Sequence, residues 1–304
     1  MSEIEFKDRV AIVTGAGGGL GRTHALALAA RGVKVVVNDL GGAVDGTGGS
    51  ETMTQKVVAE IKAGGGHAIA NGANVTKEDE VSEMVEQALS TFGHIDILVN
   101  NAGILRDKSF SKMGMDDFRT VMDVHVMGSA ICTKAVWNHM KERSYGRIAM
   151  TTSSSGMYGN FGQTNYGAAK AALSGFMRTL CIEGAKYDIR VNALAPVAAT
   201  RMTEGLLPPE ALAMLEPDSV SQGLVYLVSD EGPNRIILCA GAGGYAVTKV
   251  FETQGKNFPE GEQTAENIAK HFNEISDEKD MQEFTNGMMQ GPKFMARAKA
   301  LLES

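Results

Sequence analysis

Ser153, Tyr166 and Lys170 have the types and spacing that suit proton transfer beside a carbonyl or an alcohol. Tyr166 and Lys170 are four residues apart, which on a helix puts both side chains on one face, a turn apart. A lone Tyr hydroxyl, with a reference pKa of about 10, is a poor base near neutrality. An adjacent ammonium favours the phenolate, so the pair predicts a lowered Tyr166 pKa. Ser153 stands thirteen residues upstream, too far for the same turn. It would reach the others from a strand end, where its hydroxyl could hold a substrate oxygen. Taken alone, Tyr-x-x-x-Lys reads equally as a half-buried Tyr beside a solvated Lys, so the chemistry needs a second signal.

That signal is Thr14–Gly21, TGAGGGLG, between the apolar run Val10–Val13 and an Ala/Leu-rich stretch from His24 to Arg31. Strand, glycine-rich turn and helix start are the context of a dinucleotide fingerprint. Gly15, Gly19 and Gly21, with Leu20 between them, would let backbone approach a pyrophosphate at a helix N-terminus. A second apolar run, Val33–Val37, ends in Asn38-Asp39, and Asp39 lies eighteen residues after Gly21. A carboxylate there accepts from the ribose hydroxyls and repels a 2′-phosphate, which predicts NAD rather than NADP.

With Asn100-Asn101-Ala102-Gly103 after a run ending at Val99, these motifs resemble the short-chain dehydrogenase/reductase family. The resemblance covers residues 6–245. Four segments narrow it: VVVNDLGG (35–42), NNAGILRDKSF (100–110), YGRIAMTTSSSGMYGNFGQTNY (145–166) and Thr200–Thr203 look like the (3R)-hydroxyacyl-CoA dehydrogenase unit of peroxisomal-type multifunctional β-oxidation enzymes. The resemblance implies Tyr166 as catalytic acid/base, Ser153 holding the substrate oxygen, and Lys170 lowering the Tyr166 pKa and binding the nicotinamide ribose. It implies cofactor contacts from Asn74 and Val75 at the adenine, from Asn101, Ala102 and Gly103, and from Pro196, Ala198 and Thr200 at the carboxamide. Homodimers or homotetramers are usual for it.

Three positions depart from the family pattern. Asn74 stands where an Asp is usual, and its amide oxygen could still accept from the adenine amino group. His125 stands where an Asn is thought to hold a water next to the Lys; it either takes that catalytic role or packs as a satisfied His in a helix interface. Pro196 is followed by Val197 where Gly is common.

The elements needed to position these residues are visible. Strands are predicted at 10–13, 33–37, 68–70, 95–99, 147–152, 190–194 and 236–239. Helices are predicted at 24–31, 51–63, 78–92 with Thr76 as N-cap, 116–142, and 164–187 carrying Tyr166 and Lys170. The alternation specifies an α/β fold, a Rossmann-like doubly wound parallel sheet with helices on both faces. Its sites lie at the carboxyl ends of the strands. The glycine-rich loop 41–50 would sit near the adenosine end, as a surface insertion or as a lid. Residues 1–245 read as the NAD-binding and catalytic domain. Residues 246–304 read as a helical C-terminal extension, with helices at 263–275 and 288–302. Its Met281, Met288, Met289 and Met295 suit an irregular apolar surface such as an acyl chain or a second subunit, or simply a surface helix pair.

Composition excludes other classes. With 304 residues, 43% hydrophobic and 21% charged, the chain reads as globular, and its net charge of −7 opposes nucleic acid or an anionic membrane as partner. Cys132, Cys181 and Cys239 are an odd, scattered set that reads as reduced thiols of a cytoplasmic protein. The six histidines show no ligand spacing, so no metal is expected. Acids precede the first apolar run, unlike a secretory leader, and Leu302-Glu303-Ser304 is not an SKL-type address. The expected protein is an NAD-dependent oxidoreductase of a small secondary alcohol or ketone, a (3R)-hydroxyacyl-CoA by the narrower resemblance. Alternatives are a steroid, sugar or 3-ketoacyl-carrier substrate, or a non-catalytic NAD-binding regulator.

Overall fold

The computed structural model describes residues 3–47, 52–198 and 209–303. The chain divides into two compact units, Met1–Val247 and Thr248–Ser304. In the first, eight strands form one sheet: β1 Val10–Thr14, β2 Lys34–Asn38, β3 Ala68–Asn71, β4 Ile97–Asn100, β5 Gly146–Thr151, β6 Ile189–Val197, β7 Ile237–Gly241 and β8 Gly244–Thr248. Their order is β3-β2-β1-β4-β5-β6-β7-β8, with β1 to β7 pairing in parallel. The strand order reverses between β1 and β4, parallel neighbours, and this creates the crevice where doubly wound sheets bind ligands. The β8 strand was absent from the sequence reading. Ala242 and Gly243, both at positive φ, turn the chain back in two residues, too few for any but an antiparallel return.

Helices fill the crossovers: α1 Gly19–Ala29, α2 Thr52–Ala63, α3 Glu78–Phe92, α4 Met115–Met122, α5 Gly128–Arg143, α6 Ser154–Tyr158, α7 Thr164–Gly184, α8 Pro209–Met214 and α9 Pro217–Leu227. The strands are apolar on both faces because both faces are covered. On one side Ala11, Val13, Val35 and Val99 pack with Leu28 of α1, Val57 of α2 and Leu224 of α9. On the other, Ile12, Leu98 and Ile148 pack with Met84 of α3, Val136 of α5 and Met177 of α7.

Three differences from the sequence reading bear on the site. The helix expected over 116–142 is two helices joined by one π-helical turn, Asp123–Met127, with His125 inside it. Such widenings are frequent at functional sites. The α3 N-cap is Lys77, without a side-chain cap bond, because the Thr76 hydroxyl is engaged by Asn74. The sixth strand runs on through Pro196, which pairs with Ala240 of β7 beyond the end of β5, where its missing N–H is tolerated.

In the second unit the expected helix at 263–275 is broken at His271 into α10 Ala265–Lys270, capped by Thr264, and α11 Phe272–Ile275. A helix α12, Gln290–Leu302, follows a short 3-10 turn. Glu252 and Gln282 form an antiparallel bridge, and Lys293 pairs with Glu252 at 2.8 Å. Among the described residues no helix is long and apolar enough to cross a membrane, and no cluster of His, Cys, Asp or Glu could hold a metal ion.

Candidate active site

At the carboxyl end of β1 the chain turns through Gly15 (φ +64) into α1. A Cβ on Gly15 would stand 2.8 Å from the Ala102 Cα, and one on Gly21 would stand 2.1 Å from the Gly15 carbonyl oxygen. No side chain fits either cradle. The Asn101 amide fixes the turn by donating to the Thr14 and Gly15 carbonyls at 3.0 and 3.1 Å. Thr14 Oγ1 accepts the Asn101 and Ala102 amides at 3.0 and 3.1 Å, and donates to Val99 O at 3.2 Å. Asn101 thus buttresses the turn besides lining the cavity beside it, and Thr14, the first residue of the glycine motif, ties β1 to β4. The α1 N-terminus carries no side-chain cap, which leaves its first amides open to an anion.

The cavity at these strand ends measures about 390 Å³. Gly15, Gly19, Leu20, Gly21, Asp39, Asn74, Val75, Asn101, Ala102, Gly103, His125, Tyr166, Lys170 and Pro196 all line it. Ala198, next to the residues left undescribed, is not among these lining residues, and its side chain is buried in the hydrophobic core. Thr200 lies outside the described residues. Asn38, Leu40, Val44, Ile104 and Thr151 also line the cavity; all but Val44 lie within the segments that carry the resemblance, but none was given a role of its own.

The Asp39 carboxylate is already oriented. Its two oxygens accept the Gly17 and Gly41 amides at 2.8 and 2.7 Å. Asn74 differs from expectation. Its Oδ1 accepts both the Thr76 amide, at 3.0 Å, and the Thr76 hydroxyl, at 2.9 Å. Two lone pairs serve two donors, so the oxygen proposed for an adenine contact is committed to its own turn.

Ser153, at the end of β5, is the N-cap of α6, with Oγ accepting the Ser155 amide at 3.2 Å. Tyr166 and Lys170 lie on one face of α7, with the Lys170 Nζ 5.4 Å from the Tyr166 ring centre. That ammonium donates to Thr151 O at 2.6 Å and is buried. Burial brings the Lys170 pKa down to about 7. Burial pushes Tyr166 up to about 12, with the Asp107 charge adding to the rise and a hydrogen bond with Ser153 opposing it. The Lys was expected to lower the Tyr pKa; it is not among the groups that do so. Its head is turned to the Thr151 carbonyl.

His125 is buried against both. Its ring meets the Tyr166 ring edge-on, with centroids 5.2 Å apart. Nε2 is within hydrogen-bond distance of the Ile104 amide (3.1 Å) and carbonyl (2.9 Å), while buried Nδ1 has no partner. A Cβ on Gly103 would fall 2.4 Å from the imidazole, so the ring occupies the space that glycine leaves. Desolvation first, then the Lys170 charge, holds His125 neutral, with its pKa well below the usual value. The arrangement can move a proton at Tyr166, beside a hydroxyl donor and a cradle for a nucleotide.

Residues 9–210 match the profile of the short chain dehydrogenase family. A mycobacterial relative, the putative short-chain type dehydrogenase/reductase Rv0148 of Mycobacterium tuberculosis, is 48% identical over 89% of this chain and 95% of its own. The chain belongs to the short-chain dehydrogenase family. Among solved structures, full-length peroxisomal multifunctional enzyme type 2 from Drosophila melanogaster is similar over 98% of this chain and 51% of that one, at 33% identity and a TM-score of 0.83. A 7α-hydroxysteroid dehydrogenase complexed with NADH and 7-oxo glycochenodeoxycholic acid is similar over 79% and 95%, at 31% identity and a TM-score of 0.71. The chain spans only 27–50% of the length of the curated peroxisomal multifunctional and hydratase-dehydrogenase-epimerase relatives it matches. This short-chain dehydrogenase is thus an oxidoreductase of CH–OH groups that binds NAD(H). The glycine cradles, the uncapped α1 and the oriented Asp39 fit that cofactor.

Proposed function

We propose that this short-chain dehydrogenase oxidises a (3R)-hydroxyacyl-CoA with NAD. The observation that carries the reaction is the meeting of Ser153, Tyr166 and Lys170 beside the cavity that Asp39 lines. The likeness to the Drosophila peroxisomal multifunctional enzyme across nearly the whole chain supports the substrate class.

Tyr166 Oη takes the proton of the substrate hydroxyl, and in the reverse direction gives it back. Ser153 Oγ holds the substrate oxygen and steadies the charge that develops on it. Lys170 and Tyr166 hold the nicotinamide ribose, Asp39 the adenosine ribose, and the α1 N-terminus the pyrophosphate. NAD, when bound, supplies the hydride acceptor and a positive charge that favours the phenolate. His125, neutral and wedged beside Gly103, keeps the Tyr166 ring in place from its edge. The acyl-CoA, a homodimer or homotetramer and a cytoplasmic setting belong to the same proposal. The exposed Met288, Met295 and Leu302 of the second unit suit an acyl chain or another subunit.

Absorbance of reduced nicotinamide, after mixing protein with NAD and a (3R)-hydroxyacyl-CoA, tests the reading. The (3S) isomer and NADP serve as controls. Signal with NAD and the (3R) isomer alone is expected. Silence with both acyl-CoAs, from protein that binds NAD, sends the search to steroid, sugar and 3-ketoacyl-carrier substrates.

A further inference from the structure

A strap formed by residues 40–47 roofs the cavity, with Leu40, Ala43, Val44 and Gly46 facing into it. The strap has its own closed turn. The Ala43 amide donates to Thr47 O at 2.7 Å and the Gly46 amide to Ala43 O at 3.0 Å. The Asp45 carboxylate accepts from the Thr47 amide and hydroxyl at 3.0 and 2.8 Å. At its near end the Gly41 amide is held by Asp39 at 2.7 Å.

Its far end is held across the cavity mouth by the segment that follows β4. The Leu105 amide donates to Val44 O at 2.9 Å, and Arg106 Nε donates to Asp45 O at 3.0 Å. The same guanidinium reaches α4, with Nη1 at 3.3 Å from the Asp117 carboxylate and 3.4 Å from Thr120 Oγ1. Its base is fixed as well, since Arg106 O accepts from the buried Asn165 amide at 3.0 Å. A planar fork with one edge on the strap and another on a helix is a geometry that a lysine cannot copy.

We propose that Arg106 is a positioning residue that latches the 40–47 strap shut over the adenosine half of the cofactor cavity and so sets the rate at which NAD(H) leaves. Leu105 and Arg106 grip two successive strap residues, so opening requires breaking the Val44 and Asp45 contacts together. The proposal rests on NAD(H) occupying this cavity.

The test uses the full chain and NADH. Stopped-flow displacement, read by nucleotide fluorescence, gives the release rate; amide hydrogen exchange reads the protection of Val44–Thr47 with and without NADH. Arg106→Ala is expected to speed release about tenfold, the scale of a lost charge-assisted hydrogen bond. It should also abolish the NADH-dependent protection of the strap. Arg106→Lys, which keeps the charge beside Asp117 and guards against a variant that fails to fold, should fall between. Release from both variants within twofold of the wild type, with the strap still protected, overturns the latch. A wild-type chain that NADH neither binds nor protects overturns the cofactor placement itself, a distinct result.

Discussion

The two ends of β5 bury two cations in opposite ways. At its start Arg147 is 1% exposed, and each of its three guanidinium nitrogens is bonded. Its guanidinium donates to the Gly146, Asp188 and Ser229 carbonyls at 2.8, 2.7 and 3.2 Å, pairs with the Asp188 carboxylate at 3.1 Å and stacks on Tyr145 at 4.2 Å. At its other end Lys170 is 2% exposed and has one bond among the described residues, to Thr151 O. An arginine cannot shed its proton, so its burial demands partners around the whole guanidinium. A lysine can, and burial takes this one to about 7. The amino ends of the strands thus hold a saturated network, which Arg9 and Asp96 extend at 3.4 Å. The carboxyl ends hold unsaturated groups: the Lys170 ammonium, the orphan His125 Nδ1 and the uncapped α1. Saturation reads as stability and unsaturation as chemistry held in reserve.

The widest separation of the two ends comes from Tyr166→Phe, which removes the proton-transfer oxygen. Turnover should fall by roughly 10²–10⁴ with NADH binding retained. A loss under tenfold would take Tyr166 out of proton transfer and return the chain to the regulator class. The mirror experiment is Arg147→Met. It takes the guanidinium from the Gly146, Asp188 and Ser229 carbonyls and leaves the half-exposed Asp188 carboxylate to Arg190 alone, and thermal unfolding should report a loss of about 1–3 kcal/mol with turnover per folded molecule unchanged. Lost turnover without lost stability would join the two ends into one functional unit.

Lys170 makes a smaller effect with a defined sign. Its pKa is about 7 in the folded chain and near 10.5 in the unfolded one. Between those values the unfolded chain binds more protons, so stability rises with pH across that window and the burial penalty is greatest below pH 7. The slope approaches about 1.4 kcal/mol per pH unit for a single group. Denaturant unfolding from pH 7 to 10 should show this rise in the wild type and a flatter line in Lys170→Met. Equal slopes would mean that Lys170 keeps its full charge when buried.

How much of this was legible depends on the length scale of the cause. The glycine turn, the buried parallel strands and the Tyr166–Lys170 face are set by short-range rules: backbone clearance, two-sided burial and helical period. They can be read from residue types. What could not be read arises from pairings distant in sequence. The π turn at Asp123–Met127 belongs to His125 reaching back to Ile104, and the committed head of Lys170 belongs to the Thr151 carbonyl nineteen residues away. The raised Tyr166 pKa has the same origin, because desolvation is a property of the whole surround. The burial of the Ala198 side chain in the core is likewise a property of the surround.

Asp39 and Asn74 sharpen the contrast within the carboxyl ends themselves. The Asp39 oxygens each accept one amide and keep further lone pairs for ribose hydroxyls. Asp39→Ala should therefore narrow the NAD-over-NADP preference roughly tenfold, as the loss of one charged recognition contact. An unchanged ratio removes Asp39 from the ribose site. Asn74 has spent its acceptor on Thr76, so Asn74→Ala should lower stability by about 1 kcal/mol and weaken NAD binding less than threefold. Titration calorimetry beside a melting curve separates the two quantities. A tenfold loss of affinity at unchanged stability would mean that nucleotide binding pulls the Asn74 oxygen away from Thr76 and onto the adenine.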